Sequence, residues 1–127
     1  MIRVAIADDH QELRLALRLL LSMFKDIEVV CEAGNGQEAV ECVRQLQPDV
    51  LVMDIQMPVL DGFEAAEQIV ELSVRTRVIL MSTYKGIIIA REAAAVGARG
   101  FVPKDDIAEW LHIAIEKVYQ GEDFFME

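Results

Sequence analysis

The sequence predicts an α/β fold in which a parallel β-sheet carries helices on both faces. Five short apolar segments recur along the 127 residues, and each precedes a stretch long enough for a helix. Several of these stretches repeat apolar residues with the period of an α-helix. Strands that alternate with helices form a parallel sheet, because each right-handed crossover lays its helix back onto the sheet.

The predicted elements follow one another as five strand–helix pairs. The strands are predicted at residues 2–7, 27–33, 50–53, 78–81 and 101–102. Apolar residues at helical spacing mark the first, second and last helices, namely Leu13, Leu17, Leu20 and Phe24, then Ala39, Val43 and Leu46, and finally Ile107, Leu111, Ala114 and Val118. The remaining two helices are predicted to begin near Gly62 and Ile87 from their Ala, Glu and Ile content.

The second strand differs from the others in its pattern. It alternates the apolar residues Ile27, Val29, Cys31 and Ala33 with polar ones, which predicts one polar side and a position at the edge of the sheet. Three of the predicted strands are apolar throughout, as central parallel strands are. This combination favours the flavodoxin-like doubly wound (βα)5 fold with the strand order 2-1-3-4-5.

The composition is typical of one compact domain that does not bind nucleic acid by itself. Hydrophobic residues make up 54% of the chain, which is enough for a core. Twelve Lys and Arg stand against 22 Asp and Glu, giving a net charge of −10. Because this charge repels phosphate backbones, we expect any DNA contact to need another module.

The sequence also predicts a cytoplasmic protein without membrane contact. Cys31 and Cys42 lack metal-ligand spacing and lie in apolar or amphipathic segments, so we expect them to be reduced and buried. The amino terminus does not have the pattern of a signal peptide. Every apolar segment is also shorter than the roughly 20 residues that a membrane-spanning helix needs.

Polar residues follow the predicted strands where parallel strands end at a common edge. Asp8 and Asp9 follow the first strand, Asp54 the third, Ser82 the fourth and Lys104 the fifth. Carboxylates brought within a few ångströms repel one another unless a cation joins them. Oxygen ligands of this kind favour Mg²⁺ or Mn²⁺ over zinc.

The same edge has the groups needed for phosphoryl transfer. A cation held by a few carboxylates retains water and accepts phosphate oxygens. An ionised Asp54 is the candidate nucleophile, and Lys104 and Ser82 are candidates to bind the phosphoryl oxygens. Each residue taken singly also has a structural explanation: Asp8 and Asp9 as helix caps, Ser82 as a loop start and Lys104 as a solvated side chain.

These residues lie in four motifs that resemble the receiver domain of two-component response regulators. The resemblance extends over essentially the whole chain, with the motifs in order on the matching elements. The motifs are Asp8-Asp9, the segment DIQMPVLDG at 54–62, Ser82-Thr83 and VPKD at 102–105. Segments 6–10 and 32–36, together with Lys104-Asp105, are most similar to the subfamily that carries a C-terminal LuxR-type helix-turn-helix.

The resemblance implies a role for each residue of the metal and acceptor site. It implies that Asp54 accepts a phosphoryl group from a histidine kinase. It further implies that Asp9 and Asp54 bind Mg²⁺ directly, that the backbone carbonyl of Gln56 completes the protein ligands, and that Asp8 acts through water.

The resemblance also implies a switch. Lys104 and Ser82 would bind the phosphoryl oxygens, and Phe101 stands where the family has its switch aromatic, although it is equally compatible with a simple core residue. Gln56 and Tyr84, each two residues beyond a site residue, are expected to tune the slow loss of the phosphoryl group. Phe101 replaces the commoner Tyr, so a switch that needs a phenol hydroxyl is not expected, whereas Ser82 keeps the hydroxyl of the commoner Thr.

We therefore expect a receiver domain at residues 1–121, followed by a tail at 122–127 that begins a linker to an absent DNA-binding output domain. A cognate histidine kinase and a phosphorylation-dependent homodimer are the expected partners. A stand-alone receiver that acts through protein contacts is the alternative.

Two other functions are less consistent with the residues. A small aspartate-nucleophile phosphatase of the haloacid dehalogenase type would need an acid two residues after Asp54, where Gln56 stands. A flavodoxin-like FMN carrier would not place Asp8-Asp9 where the phosphate binds.

Overall fold

A computed structural model describes residues 1–72 and 74–127. In this part of the chain, six parallel strands and five α-helices alternate. The elements are β1 (Ile2–Ala7), α1 (Gln11–Leu21), β2 (Ile27–Ala33), α2 (Gly36–Leu46), β3 (Val50–Asp54), α3 (Gly62–Glu71), β4 (Arg77–Ser82), α4 (Ile87–Ala95), β5 (Gly100–Pro103), a 3₁₀ turn (Lys104–Asp106), α5 (Ile107–Tyr119) and β6 (Phe124–Phe125).

The sheet has the order β2-β1-β3-β4-β5-β6, so the predicted flavodoxin-like order is confirmed and a sixth strand extends it. The predicted helix starts near Gly62 and Ile87 are also confirmed. Among the described residues, none of the helices combines the length and the apolar character needed to cross a bilayer.

Two apolar cores lie on opposite faces of the sheet. Alternate residues of the central strand β3 supply both: Val50 and Val52 pack with α1 and α5, whereas Leu51 and Met53 pack with α2, α3 and α4. Strand side chains point alternately to the two faces, so a strand covered on both sides must be apolar at every position. This explains the uninterrupted apolar segments of the sequence.

A β-bulge in β2 changes which residues of that strand face each core. Val4 of β1 pairs with Val29 but Ala5 pairs with Cys31, so Val30 is the extra residue. An inserted residue reverses the facing of every side chain beyond it. The edge position of β2 was predicted correctly. The prediction that its apolar residues share one side was wrong. Val29 packs with α1 and α5, whereas Cys31 packs on the opposite face.

The bulge also explains a wrong prediction about the cysteines. We expected two reduced thiols, whereas the structure joins Cys31 to Cys42 in a disulfide with the Cα atoms 6.6 Å apart. Beyond the bulge Cys31 turns towards α2, where Cys42 is buried. Spacing along the sequence carries no sign of this pairing, because the two residues meet only through the packing of α2 on the edge strand.

The aromatic residues near residue 127 form β6. Phe124 N donates to Arg99 O at 3.0 Å and Met126 N donates to Phe101 O at 2.9 Å, which adds the strand to β5. Phe124 packs on the core of α1 and α5, with its ring centroid 6.3 Å from that of Trp110, and Phe125 packs on the other core. These aromatics therefore cover part of each core at the free edge of β5.

The loop after β3 returns closely to the end of that strand. Gly62 begins α3, and its N–H donates to Ile55 O at 2.7 Å. A Cβ at Gly62 would lie 2.4 Å from Asp54 O and 2.7 Å from Ile55 Cα, which are backbone atoms that cannot rotate away. Asp61 caps the helix, since its carboxylate accepts from Glu64 N at 2.8 Å. Gly62 thereby allows α3 to start beside Asp54.

We expect Gly62→Ala to lower the free energy of unfolding by about 1–3 kcal/mol, because the added methyl overlaps backbone at the end of β3. Urea denaturation followed by circular dichroism measures this change. Gly34→Ala is the matched control, since a Cβ at Gly34 would meet only side-chain atoms at 3.5 Å. Equal stability of the two variants would contradict the close approach.

Candidate functional site

Four potential ligand residues meet at the carboxyl edge of the sheet. One ligand atom from each of Asp8, Asp9, His10 and Asp54 can be chosen so that all lie within 4.8 Å of one another. Asp8 follows β1 and Asp54 ends the neighbouring β3, so adjacent parallel strands bring them together. Asp8 is 0% exposed and Asp54 3% exposed, whereas Asp9 and His10 lie on the solvent side.

Asp8 is held by its backbone and by both carboxylate oxygens. Its N–H donates to Ala33 O of β2 at 3.0 Å, and its carbonyl accepts from Arg14 of α1. Its Oδ1 accepts from His10 N at 2.8 Å, and its Oδ2 accepts from Lys104 Nζ at 3.0 Å. His10 occupies the N-cap position of α1, so Asp8 and Asp9 are not the cap residues of that helix.

Lys104 bridges the two buried carboxylates. Its Nζ lies 3.0 Å from Asp8 Oδ2 and 3.1 Å from Asp54 Oδ2. Burial by itself disfavours the ammonium, but the hydrogen bonds and charges of the two carboxylates outweigh burial and raise the pKa of Lys104. Lys104 is therefore charged at neutral pH and is not an ordinary solvated lysine.

The carboxyl group of Asp54 has an environment that disfavours its ionisation. Burial raises the pKa of Asp54, Lys104 opposes this effect through its hydrogen bond and charge, and the charge of Asp8 adds to the rise. The other carboxylate oxygen, Oδ1, accepts from Gln56 N at 3.3 Å. A cation close to Asp54 would thus favour its ionised form.

Ser82 and Tyr84 lie on the adjoining end of β4. Ser82 is buried and pairs in register with Pro103, one residue before Lys104. Its hydroxyl oxygen accepts from Tyr84 N at 3.0 Å, while the Tyr84 side chain is exposed. The predicted residues Ser82, Gln56 and Tyr84 thus lie on the strand end and loops that border the acidic cluster.

Phe101 is placed differently from the other predicted residues. It is 0% exposed and belongs to the core formed with α2, α3 and α4. Its backbone carbonyl accepts from Met126 N next to β6. In this structure the Phe101 ring therefore belongs to the core of the sheet.

Two residues that contact the acidic cluster, His10 and Arg14, were not predicted as site residues from the sequence. His10 Nδ1 lies 3.2 Å from Oδ1 of Asp8 and 3.2 Å from Oδ1 of Asp9, although the sequence pattern predicts no role for it. Arg14 reaches the Asp8 carbonyl and was not considered. Its spacing of four residues from His10 places both on one face of α1, which is the signal that the sequence offered.

The donor set fits a hard divalent cation. Three carboxylates and one ammonium leave two net negative charges at the strand ends. Carboxylate oxygens are the ligands preferred by Mg²⁺ and Mn²⁺. A divalent ion would balance the two charges.

The chain resembles known proteins over nearly its full length. The family model for the response regulator receiver domain matches residues 4–116. The transcriptional regulatory protein DesR of Bacillus subtilis is 38% identical over 125 residues, which are 98% of this chain and 62% of that protein. LnrK of the same organism is 36% identical over 121 residues, 95% of this chain and 55% of that protein.

Solved structures give the same result. The signal receiver domain of NarL from Mycobacterium tuberculosis superposes with a TM-score of 0.91 at 32% identity, covering 95% of this chain and 98% of that chain. A LuxR-family response regulator from Aurantimonas gives 0.93 at 31% identity, covering 98% and 89%.

Several of these relatives are longer than the chain. It spans between 55% and 62% of the DesR and LnrK sequences. It spans 30% of a protein-glutamate methylesterase/protein-glutamine glutaminase of Methanosarcina mazei, to which it is 40% identical over 108 residues. The matched part is the receiver domain in the family model, and this chain belongs to the response regulator receiver domain family.

Proposed function

We propose that this domain accepts a phosphoryl group on Asp54 from a histidine kinase, with Mg²⁺ or Mn²⁺ as the cofactor. The observation that carries the proposal is the position of the Asp54 carboxylate. It is buried at a strand end, touches Lys104 Nζ at 3.1 Å and lies within the cluster of Asp8, Asp9 and His10. Membership of the receiver family supports the same assignment.

In this proposal the metal ligands come from two segments of the chain, the turn after β1 and the end of β3 with the loop that follows it. Asp9 and Asp54 would bind the ion directly, the backbone carbonyl of Gln56 would add a third ligand, and Asp8 would act through a water molecule. The bound ion would neutralise charge on the phosphoryl oxygens and orient the donor. The two net negative charges at the strand ends support this charge balance.

The transfer itself is a nucleophilic displacement by Asp54. A carboxylate oxygen of Asp54 forms a bond to phosphorus while the bond from phosphorus to the donor histidine nitrogen breaks. The bonding electron pair stays on the imidazole, which takes up a proton. Lys104 then pairs with one phosphoryl oxygen in place of its contact with Asp54, and the Ser82 hydroxyl donates to another.

Signal transmission begins, in this proposal, at Ser82. When its hydroxyl turns towards the phosphoryl group, the contact with Tyr84 N changes and the loop after β4 moves inward. Phe101 is buried in β5, next to the strand β4 that precedes this loop. It responds through the packing of α4 and β5. The altered surface favours a homodimer or another protein partner.

The domain acts as a signalling element and not as a multiple-turnover enzyme. Gln56 stands where an aspartate-nucleophile phosphatase has its proton donor. Gln56 and Tyr84 have exposed side chains two residues beyond Asp54 and Ser82, and in this proposal they set the rate at which water removes the phosphoryl group.

We propose transcription as the output, exerted by a DNA-binding domain outside this chain. DesR and LnrK are both named transcriptional regulatory proteins, and the chain covers only part of each. A net charge of −10 disfavours DNA contact by the receiver itself. Residues 1–121 then form the receiver, which acts in the cytoplasm. Residues 122–127 begin the linker, and β6 within this segment pairs with β5 of the sheet.

Asp54→Asn should abolish the mass gain of one phosphoryl group after treatment with acetyl phosphate and Mg²⁺, because the amide is not a nucleophile for phosphorus. Intact-protein mass spectrometry measures this gain. Asp61→Asn is the control, since Asp61 lies in the same loop but caps α3, a role that Asn also performs. Unchanged phosphorylation of Asp54→Asn would refute the acceptor assignment.

Millimolar Mg²⁺ should raise the melting temperature of the metal-free protein. Binding at ten times the dissociation constant stabilises the folded state by about 1.4 kcal/mol. Asp9→Asn should lose most of this shift, because it removes a direct ligand. Asp26→Asn should keep the shift, because Asp26 is exposed and precedes β2, at the amino ends of the parallel strands and away from the site. Differential scanning calorimetry with and without EDTA tests the set, and equal shifts in both variants would disprove the site.

Lys104→Ala should remain folded and still accept the phosphoryl group, yet fail to dimerise, because the phosphoryl oxygen loses its link to the carboxyl end of β5. Light scattering after phosphorylation measures dimerisation. Lys85→Ala removes an exposed lysine that pairs only loosely with Asp105, at 3.9 Å, and should behave as the parent. Dimerisation of Lys104→Ala to the parent level would eliminate this role.

A further inference from the structure

Arg14 connects α1 to the turn that carries two of the acidic residues. Its Nη1 donates to the carbonyl oxygen of Asp8. The side chain is 18% exposed, so the guanidinium is largely enclosed. Arg14 N also donates to His10 O at 3.1 Å, which fixes its place on the first turn of α1 relative to the cluster.

Glu32 of β2 holds the guanidinium from the other side. Its Oε1 lies 3.6 Å from Arg14 Nε, and its second oxygen pairs with Arg18. Glu32 faces α1 because the bulge at Val30 reverses the strand facing; a regular strand would turn it to the opposite face. The bulge therefore gives Arg14 a carboxylate partner that offsets its positive charge.

The bond from Arg14 bears on Asp9 as well as Asp8. The carbonyl of Asp8 belongs to the planar peptide group that continues into the N–H of Asp9. Asp8 N is held by Ala33 O at 3.0 Å, and Arg14 holds the following peptide group. The direction in which the Asp9 side chain points thus depends on a peptide plane that Arg14 fixes. The Asp9 carboxylate is also more exposed than that of Asp8.

We propose that Arg14 is a positioning residue for the divalent cation: by holding the Asp8–Asp9 peptide group, it keeps the Asp9 carboxylate directed at the other ligands. This inference rests on the proposed function, since it presupposes that Asp9 binds the ion. Residues that orient metal ligands without touching the metal commonly change metal affinity about 10–100-fold when they are removed.

The sign of the change distinguishes positioning from simple electrostatics. A positive charge near a cation site weakens cation binding, so removing the Arg14 charge alone would tighten it. Loss of positioning has the opposite effect. Glu32 already offsets much of the charge, and we therefore expect weaker binding.

The experiment measures the Mg²⁺ dissociation constant of the 127-residue chain by isothermal titration calorimetry, with urea unfolding measured on each protein. Arg14→Met keeps an unbranched, flexible side chain without the guanidinium donors and should raise the constant about 10-fold. Glu32→Gln should raise it less, and the double variant should match Arg14→Met. Arg18→Met is the control: it also removes a partner of Glu32, but Arg18 is 57% exposed and contacts β2 through Glu32. It should leave the constant unchanged.

A second measurement separates positioning from loss of stability. At saturating Mg²⁺, Arg14→Met should accept the phosphoryl group from acetyl phosphate at the parent rate, with only the half-saturating Mg²⁺ concentration shifted. A merely structural role would lower the unfolding free energy and leave that concentration unchanged. If Arg14→Met does not fold, Arg14→Lys decides through the same shift, because it keeps the positive charge and loses the planar guanidinium.

Each outcome has a definite meaning. An unchanged or lower dissociation constant in Arg14→Met, or an Arg18→Met effect of equal size, overturns the positioning role while leaving the phosphoacceptor assignment intact. Failure of the parent protein itself to bind Mg²⁺ or accept the phosphoryl group overturns the proposed function, and this inference with it.

Discussion

The site depends on the electrostatic balance between buried carboxylates at one edge of the sheet. Asp8 follows β1, Asp54 ends the neighbouring β3, and both are almost fully buried. Two like charges about 4 Å apart repel by about 4 kcal/mol at an effective dielectric near 20. Lys104 reduces this repulsion by bonding to both groups, and the remaining negative charge is directed towards solvent by Asp9. The same arrangement that costs the fold electrostatic energy suits a cation and a phosphoryl donor.

The backbone must hold this arrangement because charged side chains that repel one another do not hold themselves. At β3, the close approach of Gly62 to Asp54 O lets the loop fold back over the strand end. At β1, Ala33 O and Arg14 hold the two sides of Asp8. The strands supply the position of each carboxylate, and contacts from neighbouring elements supply its direction.

A single inserted residue at the edge of the sheet has consequences on both faces. The bulge at Val30 turns Cys31 towards α2 and Glu32 towards α1. One face gains the disulfide and the other gains the partner of Arg14. Bulges are frequent at sheet edges and near functional sites, where they change the direction of a side chain. Here the edge strand, which contributes no ligand, contacts the site through Glu32 and Arg14.

The sheet order and the meeting of Asp8, Asp54 and Lys104 could be predicted from sequence because both follow from local patterns. Apolar periodicity marks the strands, and residues that follow parallel strands share an edge whatever the details of packing. The bulge, the Cys31–Cys42 bond and β6 could not be predicted in this way. Each depends on which neighbour an element meets and in what register, and that choice reflects the packing energy of residues far apart in the chain.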